Sequence, residues 1–183
     1  MKHIVFLIFW RTFDWLIGEF DKPRAEAFMS DITIRPLEKD EYNAALNLVL
    51  HVFMRFQSDS FTPEGVDTFR RFVDPVHMLP LIECGIMFFR GAFDEGRLVG
   101  VIATRGFPHI SLLFVNPSDH CRGIATLLVQ DIVSIAKEKA FTAVSVNASS
   151  YAIPFYRRLG FVSLDTEKVE NGIRFTPMTL NIG

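Results

Sequence analysis

Between His109 and Val129 the chain reads H-I-S-L-L-F-V-N-P-S-D-H-C-R-G-I-A-T-L-L-V, and this stretch narrows the choice of fold more than any other. A β-branched and aromatic run comes first. A proline and a short polar turn follow, and a glycine then opens a long apolar-periodic segment. The pattern is a strand, a tight loop and a helix in succession. A glycine loop at a helix N-terminus presents backbone N–H groups that have no intrahelical acceptor, and the helix dipole favours negative charge there. The loop therefore reads as a holder for the pyrophosphate of a nucleotide-like cofactor, although the segment alone also fits an ordinary strand-to-helix connection. It has neither G-x-G-x-x-G nor the Lys-Ser/Thr of a P-loop, which weakens the dinucleotide, oxidoreductase and nucleoside triphosphate readings.

The flanking sequence supplies a sheet. Ile32 to Pro36 alternates as a half-buried strand does, and Glu38 to Arg55 carries a helical apolar pattern with an acidic first turn. Thr62-Pro63 reads as an N-cap followed by the first helical residue of a segment that ends before Pro75. Met87 to Phe93 and Leu98 to Thr104 form a hairpin across Asp94-Glu95-Gly96. After the strand Ile110 to Val115, the segment Ile124 to Lys137 is predicted as a helix, Ala143 to Val146 as a short buried strand and Ser150 to Leu159 as a helix closed by Gly160. Strands Phe161 to Leu164 and Ile173 to Leu180 finish the chain, with a turn at Glu170-Asn171-Gly172. The fold class is mixed α/β (α+β): a central mixed, mostly antiparallel sheet with helices on both faces.

At 183 residues one domain is expected, and a net charge of −2 argues against a general nucleic-acid partner. Cys84 and Cys121 form no C-x-x-C pair and no cluster has metal-ligand spacing, so no metal is expected and a reducing cytoplasm is the simplest setting. Ile4 to Trp10 is too short to span a bilayer, no cleavage site follows, and the Lys/Arg enrichment of a membrane-surface helix is missing. Residues 1–28 thus read as an N-terminal extension dispensable for the chemistry, with the domain proper at 29–183 and no membrane partner.

A second motif decides between the readings of the loop. Val146 to Phe161 reads V-N-A-S-S-Y-A-I-P-F-Y-R-R-L-G-F. Together with the first motif it resembles the GCN5-related N-acetyltransferase (GNAT) family, whose loop is Q/R-x-x-G-x-G/A and whose later helix ends A-x-x-F-Y-x-x-L-G-F. Gly123 and Ala125 fill the two small positions. Ala152, Phe155, Tyr156, Leu159, Gly160 and Phe161 match the helix, and Leu113 to Pro117 fits the family's fourth strand. The resemblance runs from about Ile32 to the C-terminus, and N-G-I-R-F-T-P-M at Asn171 to Met178 resembles a bacterial branch with poorly defined substrates. Two departures stand out. His120 takes the place of Gln or Arg, where weakened cofactor binding is expected, with Arg122 as a nearby charge. Ser149 stands where the family often has Asn, with Asn147 two residues earlier.

The resemblance implies an N-acetyltransferase that moves an acetyl group from acetyl-CoA directly to a primary amine of a small molecule or peptide. The cofactor-binding candidates are Leu113, Phe114, Val115, His120, Cys121, Arg122, Gly123, Ile124, Ala125 and Thr126, with Asn147 or Ser149 on the pantetheine arm. Loop amides suit a pyrophosphate. The thioester carbonyl needs a donor, implied to be the backbone N–H near Phe114 or Val115. Tyr156 resembles the family's general acid, against the plainer reading of a core aromatic with a satisfied hydroxyl. An alkyl amine, with a pKa of about 10, must lose a proton before attack. His109 is the candidate base, weighed against a strand-end histidine without a task, and Glu83 is a lesser one. His51 and His77 read as ordinary helix and loop residues, and Cys121 as a loop residue used for its backbone N–H. Phe53, Phe56, Phe61 and Phe69 make the substrate side aromatic, a pattern that core packing also explains, and Asp59 is a candidate amine partner. The alternative is a non-catalytic acyl-CoA-binding or regulatory module on the same fold. A homodimer is plausible from strands exposed near the C-terminus.

Overall fold

The computed structural model describes Phe6–Leu7, 32–58 and 61–183. The strands are β1 (Phe6–Leu7), β2 (Ile32–Pro36), β3 (Met87–Asp94), β4 (Arg97–Arg105), β5 (His109–Val115), β6 (Ala143–Ala148), β7 (Val162–Ser163), β8 (Lys168–Glu170) and β9 (Ile173–Asn181). The helices are α1 (Tyr42–Phe56), α2 (Pro63–Val73), α3 (Pro75–Glu83), α4 (Ile124–Glu138) and α5 (Ile153–Arg158). The sheet order is β2-β3-β4-β5-β6-β9-β7. Neighbours are antiparallel except β5 and β6, so the mixed, mostly antiparallel sheet expected from the sequence is present.

Local chemistry explains the element ends. The Thr62 hydroxyl accepts the Gly65 N–H and Pro63 opens α2, as the sequence predicts. Asp74 caps α3 through the Val76 N–H. At the β3–β4 turn Glu95 and Gly96 both have positive φ (49° and 80°), as do Asn171 and Gly172 (50° and 75°) at the β8–β9 turn, which is the two-residue hairpin geometry that favours Asn-Gly. The tip of that second hairpin sits on the start of α2. A Cβ on Gly65 would lie 2.6 Å from the Gly172 carbonyl oxygen, and one on Gly172 would collide with the Thr62 hydroxyl.

Two apolar layers enclose the sheet. On one face α1, α2 and α3 bring Ala45, Val49, Phe53, Phe69 and Met78 onto Phe89, Val101, Ala103, Leu112 and Phe114. On the other, α4 and α5 bring Ile124, Leu128, Ile132 and Tyr156 onto Ile102, Ile110, Leu113, Val115 and Val146. Phe53 and Phe69 are fully buried and stack 3.9 Å apart, so core packing accounts for them. The burial stripe of α1 (Ala45, Leu46, Val49, Val52, Phe53) has the spacing of one helical face.

Three elements differ from the sequence expectation. Pro75 begins α3 instead of only ending its predecessor, because a proline is tolerated in a first helical turn. The helix expected over Ser150–Leu159 is shorter, Ile153–Arg158. Lys168–Glu170 pairs with Ile173–Phe175 as an added strand. Residues 1–28 lie outside the described residues apart from Phe6–Leu7, and Asp59 lies outside them too. Among the described residues no helix is long and apolar enough to cross a membrane.

Candidate functional site

The site is built on an irregularity in β5. Against β4, Leu112 pairs with Ala103 and Ile110 pairs with Thr104, so Ser111 has no partner of its own and forms a bulge. On the opposite edge, β6 pairs with β5 only at His109–Ser145 and Ile110–Val146. Beyond Ile110 the two strands part, and the backbone groups of β5 on that edge are released from β6.

The strand alternation says which groups face the opening. The Asn116 N–H donates to the Val99 carbonyl on the β4 side (2.8 Å). In an antiparallel ladder, directions alternate residue by residue. The N–H groups of Leu112 and Phe114 therefore point to β4, and those of Leu113 and Val115 point toward the parted edge. Of Phe114 and Val115, Val115 is the residue with an N–H on the open side. Its carbonyl accepts a hydrogen bond from His120 Nε2 at 2.9 Å. Because a carbonyl only accepts, Nε2 carries the proton. Burial lowers the His120 pKa, against the opposing effect of the Val115 carbonyl.

Past β5, Pro117–Asp119 makes a 3-10 turn, and residues 120–123 lead into α4. Cys121 (φ 62°) and Gly123 (φ 76°) are both left-handed, which costs a residue with a Cβ about 1–2 kcal/mol. Among the described residues, the N–H groups of Arg122 to Thr126 find no acceptor; the last three open α4, where no intrahelical acceptor exists. Charge holds the loop in this shape. The Asp119 side chain, 4% exposed, accepts two hydrogen bonds from Arg97 (2.9 Å each), one from Arg122 (2.8 Å) and one from the Ser118 hydroxyl (2.9 Å). Arg122 also donates to Asp94 (2.7 Å). Hydrogen bonding to Arg97 holds the Asp119 carboxyl at about 2. Arg122, expected from the sequence as a free charge for the phosphates, is already matched by two carboxylates of the protein.

Several hydroxyls are buried on the elements that meet at β5 and β6. Tyr156 is fully buried against Phe155 and Phe161, with ring centroids 5.2 and 5.0 Å away. Its hydroxyl has no hydrogen-bond partner among the described residues, and burial pushes the phenol pKa up. The hydroxyls of Ser111, Thr104 and Ser149 are also buried without partners among the described residues. Buried polar groups are nearly always satisfied, so these hydroxyls are candidates for contact with an added ligand. His109 stands where β5 and β6 still touch, its Nδ1 2.9 Å from Ser145 Oγ. Asn147 is half-buried on β6 opposite Pro177.

The structure brings Leu113 to Val115, the loop 120–126 and Ser149 to the parted ends of β5 and β6, with Tyr156 in the α4–α5 layer beside Ile110, Val146 and Ala148, while His109 and Asn147, which alternate with those residues along β5 and β6, are carried on the other face of the sheet. It does not bring Glu83 there: Glu83 ends α3 on the opposite layer and is exposed. His51 lines an open groove of about 330 Å³ with Asn47, Leu98 and Asn116, and His77 is exposed on α3. Phe56 packs near the His120 ring, with centroids 6.0 Å apart. Sequence reading missed Ser111, Thr104, Asp94, Arg97 and Asp119. Only Ser111 left a signal, as a lone polar residue inside an apolar run. Among the described residues no group of three or more His, Cys, Asp or Glu could hold a metal ion.

An elongated ligand with a pyrophosphate head and amide groups along its arm fits these residues: N–H groups without acceptors at the loop, a strand edge that β6 has released, and buried hydroxyls without partners among the described residues. Known proteins agree with that fit. Residues 57–182 match the family model described as an acetyltransferase (GNAT) domain. The uncharacterised N-acetyltransferase YafP of Escherichia coli is 24% identical over 149 residues, 81% of this chain and 93% of that protein. A GCN5-related N-acetyltransferase structure from Rhodopseudomonas palustris superposes with a TM-score of 0.73 at 21% identity, covering 84% of this chain and 97% of that one. The PaiA N-acetyltransferase of Thermoplasma acidophilum, solved in complex with coenzyme A, superposes at 0.69 with 18% identity over 82% and 98% of the two chains. YncA of Salmonella typhimurium, solved with acetyl-CoA, superposes at 0.61 with 19% identity over 84% and 95%. By its sequence match and its fold, the chain belongs to the GNAT family and is an N-acetyltransferase.

Proposed function

We propose that this chain transfers an acetyl group from acetyl-CoA directly to a primary amine of a small molecule or peptide, without a covalent enzyme intermediate. One observation carries the reading: the Ser111 bulge, the parting of β6 from β5 and a buried, unpartnered Tyr156 hydroxyl occur together. Two structural neighbours, solved with CoA and with acetyl-CoA, support the choice of ligand.

When bound, acetyl-CoA supplies the acetyl thioester. The N–H groups of Arg122, Gly123, Ile124, Ala125 and Thr126 receive the pyrophosphate, helped by the N-terminal end of the α4 dipole. Leu113, with Asn147 or Ser149, holds the arm by hydrogen bonds. The Val115 N–H donates to the thioester carbonyl oxygen, where negative charge builds as the amine attacks. The Tyr156 hydroxyl hands its proton to the departing sulfur. Burial keeps that proton on the oxygen until the thiolate forms beside it. His109 takes the proton the amine must lose, with Ser145 Oγ orienting its ring through Nδ1. The new C–N bond replaces the C–S bond; of the two protons that an alkylammonium sheds on becoming an amide, His109 takes the first to solvent and the second restores the Tyr156 hydroxyl that has protonated the sulfur. All these residues lie within 29–183, where we place the whole of the chemistry.

A thiol-release screen with acetyl-CoA against amine classes tests the reading, with turnover expected for at least one class. CoA binding by calorimetry without turnover on any amine would instead identify a non-catalytic acyl-CoA-binding module, the outcome that the His120 substitution in the loop would favour.

A further inference from the structure

The edge of β5 released by β6 is not bare. Phe6 of β1 pairs in parallel with Leu112, and Leu7 with Leu113, and β1 also lies against β6. The N-terminal strand therefore enters the opening between the two strands. Leu113 is one of the two residues with an N–H that faces that opening, the other being Val115. The pantetheine arm of CoA carries amide groups, which seek the same strand-edge donors and acceptors as a peptide does. One N–H cannot give a full hydrogen bond to both.

We propose that the N-terminal strand is an autoinhibitory segment that competes with the CoA arm for the Leu112–Leu113 edge of β5. The proposal rests on the reading above that this edge receives acetyl-CoA. Its support is the register of β1, which coincides with the stretch β6 has left and ends short of Val115. The family match begins only at residue 57, so β1 is additional to the matched domain. A chain in which β1 is seated must release it before the arm can lie along β5, and its apparent CoA affinity falls by the fraction of molecules in the released state. A short backbone pairing contributes enough to weaken CoA binding about tenfold.

The test uses the intact chain. Phe6→Pro with Leu7→Pro removes both N–H donors of β1 and disfavours a paired strand there. Calorimetry with CoA should show the double variant binding about tenfold more tightly than the unmodified chain. Hydrogen exchange should show the Leu113 amide protected in the free unmodified chain, exposed in the free variant, and protected again in the variant once CoA is added. Equal CoA affinities, with Leu113 exposed only in the variant, would overturn the proposal and leave the cofactor reading intact. No CoA binding by either chain would overturn both. The unmodified chain gives a second measurement that no folding defect can confuse: saturating CoA should speed amide hydrogen exchange over Phe6–Leu7 several-fold, and unchanged or slower exchange would overturn the competition.

Discussion

The two ends of the proposed cofactor site are held in opposite ways. At the loop the charged side chains are committed: Asp119 to Arg97, Arg122 and Ser118, and Arg122 to Asp94 as well. The backbone N–H groups of Arg122 to Thr126 are left over. At the proposed inner end the hydroxyls of Tyr156, Ser111, Thr104 and Ser149 have no partner among the described residues. On the proposed reading, the difference follows from what each end must do. A pyrophosphate is recognised by fixed donors, so the side chains serve to hold the backbone still. Proton transfer needs groups that are not already bonded, so the fold tolerates buried hydroxyls whose desolvation costs about 1–3 kcal/mol each.

The largest expected effect is at the unsatisfied end. Tyr156→Phe should lower turnover about a hundredfold or more and leave the CoA dissociation constant within about twofold. The variant should also unfold at a higher temperature, because an unpartnered buried hydroxyl has been removed. A full rate across the pH range would exclude Tyr156 as the acid and erase the contrast between the two ends. Gly123→Val tests the loop, where φ is 76°. A β-branched residue there is strained, and CoA affinity measured by calorimetry should drop about tenfold while the acid and base remain in place. An unchanged affinity would mean that the loop backbone does not carry the phosphate.

Asp119→Asn reads the anchoring itself. At neutral pH the unfolding free energy should fall by about 1–3 kcal/mol. The native carboxyl titrates at about 2, below its ordinary 3.8. Its contribution is therefore complete above about pH 4 and is lost as pH falls toward 2. Denaturant melts of the unmodified chain should show that acid-limb loss and the variant should show less of it; equal acid limbs would remove Asp119 from the anchor. The smallest effect is expected for Cys121→Gly. Cys121 is exposed and left-handed, so relief of strain should keep the change in stability under about 1 kcal/mol and CoA affinity within about twofold. A large loss of turnover would instead give the thiol a role that the backbone account denies it.

The sequence disclosed what is local. Thr62-Pro63 at the start of α2, Gly123 before α4, Gly160 after α5 and the Asn171-Gly172 turn each have one physical use at that spacing, and each stands where it was expected. Pro75 misled because a proline both ends one helix and can begin the next, and only the packing of Met78 decides for α3. The Ser111 bulge arises from the register between β4 and β5, which no single strand encodes. The Asp119 anchor was invisible for a related reason: Asp94 and Arg97 belong to the β3–β4 hairpin, and only the completed sheet brings them to Arg122. Arg122 showed its charge in the sequence but not that two carboxylates had claimed it.

The bulge also bears on which changes of length β5 can absorb. Ile110 faces α4 and α5, Leu112 and Phe114 face α1 to α3, and Leu113 and Val115 return to the first side. With Ser111 left out, that alternation is already regular. A chain lacking Ser111 would keep every apolar side chain of β5 on its proper face, and β6 would be free to stay in register past Ile110. Such a one-residue deletion would leave a chain able to fold and would close the opening at its root. On the proposed reading, Ser111 serves ligand access more than packing, and the length of β5 matters to the cleft as much as the identity of any residue in it.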